Sequence, residues 1–224
     1  LATTLFYGVL EKRVWLDYVL SRFSKIPLEK INRTVLEVLR IAVYQIFFLE
    51  KIPDSAAVNE AVNLVKKRGC GKASGFTNGM LRSVLRARVN LPEPDREKEP
   101  LLWKSVQYSC PEWLISLWEH SYGIECTEGI LESLRKKPPI YVKVNTLLIK
   151  TEELRDRLQI TGVSAELAVG VPEALCLENP GPLQQVYGFE EGLFHVQDLS
   201  PQLCCFLIAP QPGETVVDTC AAPG

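Results

Sequence analysis

The chain is short of paired cysteines. It has seven, and no two of them stand at the Cys-x-x-Cys spacing of a metal site. The odd, scattered set (Cys70, Cys110, Cys126, Cys176, Cys204, Cys205 and Cys220) does not read as a disulfide framework, so a reducing, cytosolic compartment is the simplest account. His120 has no partner at ligand spacing and is expected at the surface, so no metal is expected. No apolar run is of membrane length: the longest, Ile41 to Leu49, is interrupted by Gln45. Leu1 to Leu10 lacks a basic start and a cleavage pattern, which argues against a signal peptide, and the absence of an initiator Met suggests an N-terminus that is cut. Gly69 to Ser74 lacks the Gly-x4-Gly-Lys-Ser/Thr spacing of a phosphate loop. Nothing reads Gly-x-Gly-x-x-Gly after Val217, which disfavours a dehydrogenase.

What is present is an uneven charge. Residues 1–138 carry 21 basic and 16 acidic residues, and residues 139–224 carry 4 and 11. Between Ala61 and Pro92 there are seven basic residues and no acid, the local excess that a polyanionic partner calls for. Lys66, Lys67 and Arg68 close one helix, Lys72 follows, and Arg82 and Arg86 lie four apart on one face of the next. This set is a candidate phosphate-contacting surface; the plainer reading is basic side chains complementing helix dipoles on a solvated face.

Residues 1–92 read as successive amphipathic helices. Leu5, Val9, Trp15, Leu16, Val19, Leu20 and Phe23 recur at helical steps, and Val35, Leu36, Leu39, Val43, Ile46 and Phe47 form a second stripe. Asp54-Ser55 is expected to cap a helix over Ala56 to Arg68, with a further helix over Phe76 to Arg88. Short-linked helices of this kind make a bundle. Leu91 to Pro100 is a linker by composition, and residues 93–138 form a helical connector with Pro111 opening the helix of Trp113, Leu114, Leu117 and Trp118. Tryptophans at helical spacing are expected in a core, although they could stack on bases.

At Pro138-Pro139 the period changes. Ile140, Val142 and Val144 alternate with Tyr141, Lys143 and Asn145 as in a half-buried strand. Thr151 is expected to cap a helix to Leu158, and strands are expected near Ala165–Val169, Ala174–Leu177 and Leu193–Val196. Residues 139–210 thus form a small α+β module. Ser200-Pro201 is expected to open a last helix, with at least one of Cys204 and Cys205 in a core. Thr215 to Val217 is a β-branched run followed by Asp218 and a loop of small residues, which lets backbone amides approach a ligand closely.

Asp218-Thr219-Cys220-Ala221-Ala222-Pro223-Gly224 resembles the S-adenosylmethionine-binding motif of the RNA 5-methylcytosine methyltransferases of the RsmB-like (Sun) family. Ile52 to Val62 and Gly75 to Arg82 are similar to the signature stretches of the NusB-type RNA-binding helical domain. The resemblance implies a mainly α NusB-like bundle (1–92), a connector (93–138), an RNA-recognition-like α+β subdomain (139–210) and, from 211, the first strand of a Rossmann-like methyltransferase domain that stops inside its motif. It implies S-adenosylmethionine bound by Asp218, Cys220, Ala221, Ala222, Pro223 and Gly224. It implies 16S rRNA as the partner, met by Lys66, Lys67, Arg68, Lys72, Arg82 and Arg86, and by Lys143 and Asn145 in place of the family's Arg-x-Asn. Lys143 keeps the charge and loses the bidentate fork. Phe194 to Ser200 resembles the family's Gln-Asp/Glu-x-Ser segment, which leads into a helix beside the cofactor.

In this family a cysteine thiolate adds at C6 of cytosine, making C5 able to attack the sulfonium methyl. The resemblance puts that cysteine downstream of Gly224, so Cys220 is a loop residue and no catalytic residue is expected here. The expectation is a monomeric, cytoplasmic, RNA-binding part without activity or measurable cofactor affinity of its own. The runner-up is a non-enzymatic NusB-type antitermination protein, which residues 139–224 disfavour.

Overall fold

The structure, a computed structural model, describes residues 1–219. The chain divides into two compact units, Leu1–Lys136 and Lys137–Gly224. In the first, α1 (Ala2–Glu11), α2 (Arg13–Phe23), α3 (Arg33–Phe48), α4 (Asp54–Lys67) and α5 (Ser74–Arg86) form the bundle. α3 is its centre, and α1, α2, α4 and α5 all pack on it. Its apolar stripe of Val35, Leu39, Val43 and Ile46 meets Leu16 and Leu20 of α2, Val58 and Val65 of α4, and Leu81 and Val84 of α5. Gly8 sets the crossing of α1 over α3, because a Cβ there would sit 2.1 Å from the Tyr44 ring.

A buried arginine ties α2 to α3. Arg40 is 5% exposed. Its guanidinium donates to both Asp17 oxygens at 2.7 Å and to Glu37 at 2.7 Å. Burial pulls its pKa down, but the two carboxylates more than offset this and the net shift is upward.

The connector helices α6 (Pro100–Tyr108), α7 (Glu112–Tyr122) and α8 (Ile124–Ser133) belong to this same unit. Ile115, Leu131 and Cys110 form their own small core. Lys104 of α6 joins Glu119 of α7 at 2.8 Å and Glu128 of α8 at 3.5 Å.

The second unit is a four-stranded antiparallel sheet of β1 (Ile140–Val144), β2 (Ser164–Leu167), β3 (Ala174–Glu178) and β4 (Phe194–Val196), in the order β2-β3-β1-β4. Val142, Val144, Leu175, Leu177, Ala165 and Phe194 cluster with Leu154 and Leu158 of α9 (Thr151–Ile160) to make the core. The last helix is α10 (Leu199–Ile208).

Several local expectations are corrected. α4 begins at Asp54 with Pro53 before it, so neither Asp54 nor Ser55 caps it; the Asp54 carboxylate binds Arg88 at 2.9 Å instead. α5 starts at Ser74 and stops at Arg86. Thr151 is the buried first residue of α9, not its cap, and α9 reaches Ile160. Asp198, not Ser200, caps α10 by accepting from the Leu199 amide at 2.8 Å. Cys204 and Cys205 are both exposed. Trp118 and Leu114 pack on the connector core, but Trp113 and Leu117 face solvent, because α7 buries one narrow stripe against α6 and α8. Thr215 to Val217 pairs with no strand among the described residues; a parallel strand needs neighbours, and Val216 and Val217 are exposed.

Candidate nucleic-acid interface

The cations singled out in the sequence fall in two places: Lys66, Lys67, Arg68 and Lys72 where α4 ends and α5 begins, and Arg82 and Arg86 toward the far end of α5, beyond which Arg88 reaches Asp54 at the start of α4. α4 ends in a Schellman motif: Gly69 takes φ +77°, its amide donates to Lys66 O at 3.1 Å, and the Cys70 amide donates to Val65 O at 2.9 Å. That stop leaves Lys66, Lys67 and Arg68 exposed on the final turn and cap. Lys72 stands in the 3-10 turn Gly71–Ala73, and α5 then carries Arg82 and Arg86, both exposed. None of these six forms an ion pair among the described residues, whereas Arg88, the seventh, is held by Asp54.

The tertiary fold adds a cation that sequence proximity does not show. Lys25, in the turn after α2, shares a groove of about 480 Å³ with Arg82 and Arg86. Phe23, Ile26, Phe76 and Met80 line the same groove. Arg86 donates to Ser83 Oγ at 2.8 Å, while Ser83 donates to Gly79 O at 2.9 Å. More than fifty residues separate Lys25 from Arg82, and no local pattern links them.

Unit 2 is arranged differently. Of its four cations after Pro139, Lys143 is bound by Glu173, Arg155 by Asp156 and Arg157 by Glu153; Lys150 is in no ion pair among the described residues. Asn145 serves its own turn, donating to Gly192 O at 3.2 Å and accepting from the Leu147 amide at 3.3 Å. The sheet face away from α9 carries Tyr141, Lys143, Cys176 and His195 together with Glu166 and Glu178. Burial raises the pKa of Tyr141, and it does the same to Cys176. That face offers two rings, Tyr141 and His195, but its two carboxylates, Glu166 and Glu178, oppose a phosphate chain.

Of the cofactor set, Asp218 is exposed, in a segment without strand pairing. Cys220, Ala221, Ala222, Pro223 and Gly224 lie outside the described residues. Asp218 is thus the one member of that set among the described residues. Among them there is also no group of three or more His, Cys, Asp or Glu side chains placed to hold a metal. No helix among them is long and apolar enough to cross a membrane.

Comparison with known proteins bears directly on this arrangement. Residues 1–86 match the NusB family, and residues 110–184 match the Methyltr_RsmF/B-like ferredoxin-like domain. A NusB domain thus precedes an RsmF/B-type ferredoxin-like domain in this chain. The α4–α5 cations all belong to the NusB domain. The ferredoxin-like match begins at Cys110, within the connector, and takes in β1, α9, β2 and β3.

Similarity along the whole of these 224 residues agrees. The chain is 36% identical to the probable ribosomal RNA small subunit methyltransferase B of Bacillus subtilis, over 100% of this chain and 49% of that protein. It is 34% identical to the probable protein of the same name in Synechocystis, over 99% and 50%. It also resembles the crystal structure of PH0851, with TM-score 0.66 and 25% identity over 95% of this chain and 47% of that one. The chain spans about half the length of the curated relatives it matches.

Proposed function

We propose that these 224 residues are the RNA-binding part of an S-adenosylmethionine-dependent 16S rRNA cytosine-C5 methyltransferase, acting as a monomer in the cytoplasm. One observation carries the reading. Lys66, Lys67, Arg68, Lys72, Arg82 and Arg86 of the NusB domain are exposed and in no ion pair among the described residues, whereas the ferredoxin-like unit neutralises three of its four cations after Pro139. Free cations displace counterions from a phosphate chain; paired ones must first give up a carboxylate. The main grip on RNA is therefore assigned to α4 and α5. Lys143 and Asn145 are assigned a secondary contact, made when RNA competes Lys143 away from Glu173.

Methyl transfer to C5 needs a cysteine nucleophile and a bound sulfonium donor. The relatives' names support the reaction class, and their double length leaves room for both groups outside these residues. The 224-residue chain alone is expected to bind no S-adenosylmethionine measurably and to transfer no methyl group.

The test is the salt dependence of RNA affinity. Removing one phosphate-binding cation should flatten the slope of log K against log salt by about 0.7 for single-stranded RNA. The triple variant Lys66→Gln, Lys67→Gln, Arg68→Gln should therefore reduce the slope by roughly 2. An unchanged slope would place the RNA elsewhere on the protein and remove the reading.

A further inference from the structure

We infer that the groove between the α2–α3 turn and α5 seats an unstacked base of single-stranded RNA, with Lys25, Arg82 and Arg86 holding the phosphates beside it. The inference rests on the RNA-binding reading above and adds which part of the RNA enters the protein, and where. Three observations carry it.

The first is the chemistry of the lining. The lining has three cations and no carboxylate, and it is otherwise largely apolar and aromatic through Phe23, Ile26, Phe76 and Met80. Phosphate on the cations and a base on the apolar lining satisfy both surfaces at once; a duplex, whose bases are already stacked, would satisfy the cations alone. The groove, at about 480 Å³, also falls within the range of about 300–1,000 Å³ typical of ligand pockets.

The second is what lies above α5. Gly75 and Gly79 are one turn apart, both exposed, and both line this groove. A Cβ built on either meets nothing within 4 Å, so no neighbour inside the protein requires glycine there. Glycine is a poor helix former, and two in a 13-residue helix weaken it. The space above the backbone is what these glycines preserve, and a flat ring laid against the helix would use it.

The third is order in that lining. The chain from Gly79 O through Ser83 Oγ to Arg86 Nη2 ties the guanidinium to the α5 backbone among residues that line the groove.

The experiment compares the intact 224-residue chain with its Gly79→Leu variant by fluorescence anisotropy, using a single-stranded RNA oligonucleotide, its abasic counterpart and its duplex. The unaltered chain should bind the base-bearing strand roughly 5- to 100-fold more tightly than the abasic one. Gly79→Leu, which fills open space on a helix, should fold with an unchanged or higher Tm and lose that preference while keeping its affinity for the abasic strand. Equal affinity of the unaltered chain for base-bearing and abasic strands would overturn the inference without any variant. A Gly79→Leu protein that keeps the preference would overturn it too. In both cases a salt slope that still falls in the α4 triple variant leaves the RNA-binding reading standing. No binding to any of the three RNAs would remove both.

Discussion

The hydroxyl of Ser109 accepts hydrogen bonds from the backbone amides of Val14 at 3.1 Å and Trp15 at 3.4 Å, across 95 residues of sequence in the case of Val14. Val14 and Trp15 are the second and third residues of α2, whose preceding residue, Lys12, offers no side-chain cap. Ser109 thus does from the connector what an N-cap serine does locally. It can do so because it ends α6 in the left-handed region, at φ +52°. One serine therefore stops a connector helix and starts a bundle helix, which helps to make residues 1–136 one unit.

Ser109→Ala should destabilise that unit by about 1 kcal/mol, the usual cost of a missing cap. Ser109→Gly removes the same acceptor but relaxes the positive φ, so it should lose less. Urea denaturation followed by tryptophan fluorescence separates the two. Equal stability of Ser109→Ala and the unaltered chain would show that the cap contributes nothing.

Arg40→Met should be the more damaging change. It leaves the carboxylates of Asp17 and Glu37 facing an apolar side chain, a loss of about 2–4 kcal/mol given that Asp17 keeps some access to water. Arg40→Lys should recover little, since an ammonium cannot bridge both Asp17 oxygens as the guanidinium does. Because the pKa of Arg40 is raised on folding, its contribution is present below the unfolded value and is lost only as pH rises through the folded one. The deficit of the Met variant should therefore be constant from mildly acidic to mildly alkaline pH, and thermal melts across that range check it.

Glu173→Gln should strengthen RNA binding a few-fold at low salt. The change releases Lys143, now bound by Glu173, to act as a free cation. A weaker or unchanged affinity would argue that Lys143 does not touch RNA.

Thiol labelling should sort the cysteines by the fold. Cys126, Cys204 and Cys205 are exposed and should react with iodoacetamide first. Burial both hides Cys110 and raises its pKa, so less thiolate is present at any given pH and its labelling should lag, catching up only as pH rises. Peptide mass spectrometry reads the order directly; early labelling of Cys110 would mean that the connector core opens readily.

Periodicity and composition alone were enough for much of this protein. The stripes through Leu16, Leu39 and Val43 specified helices, the alternation at Val142 and Val144 specified a strand, and both are decided by which side chains must leave water within a single element. The acid-free run from Ala61 to Pro92 was likewise visible as bare charge. Helix starts were less legible at α4, α9 and α10, where Asp54, Thr151 and Ser200 are all capable caps. Whether such a residue caps or begins a helix depends on a competing partner, as Arg88 is for Asp54. Which cations stay free, which are neutralised, how Lys25 comes to share a groove with Arg82 and Arg86, and how Ser109 comes to cap α2 were settled only by the tertiary structure. The physical reason is range: burial and period act within one element, whereas ion pairs, caps in trans and grooves need atoms that the chain brings together only when it packs.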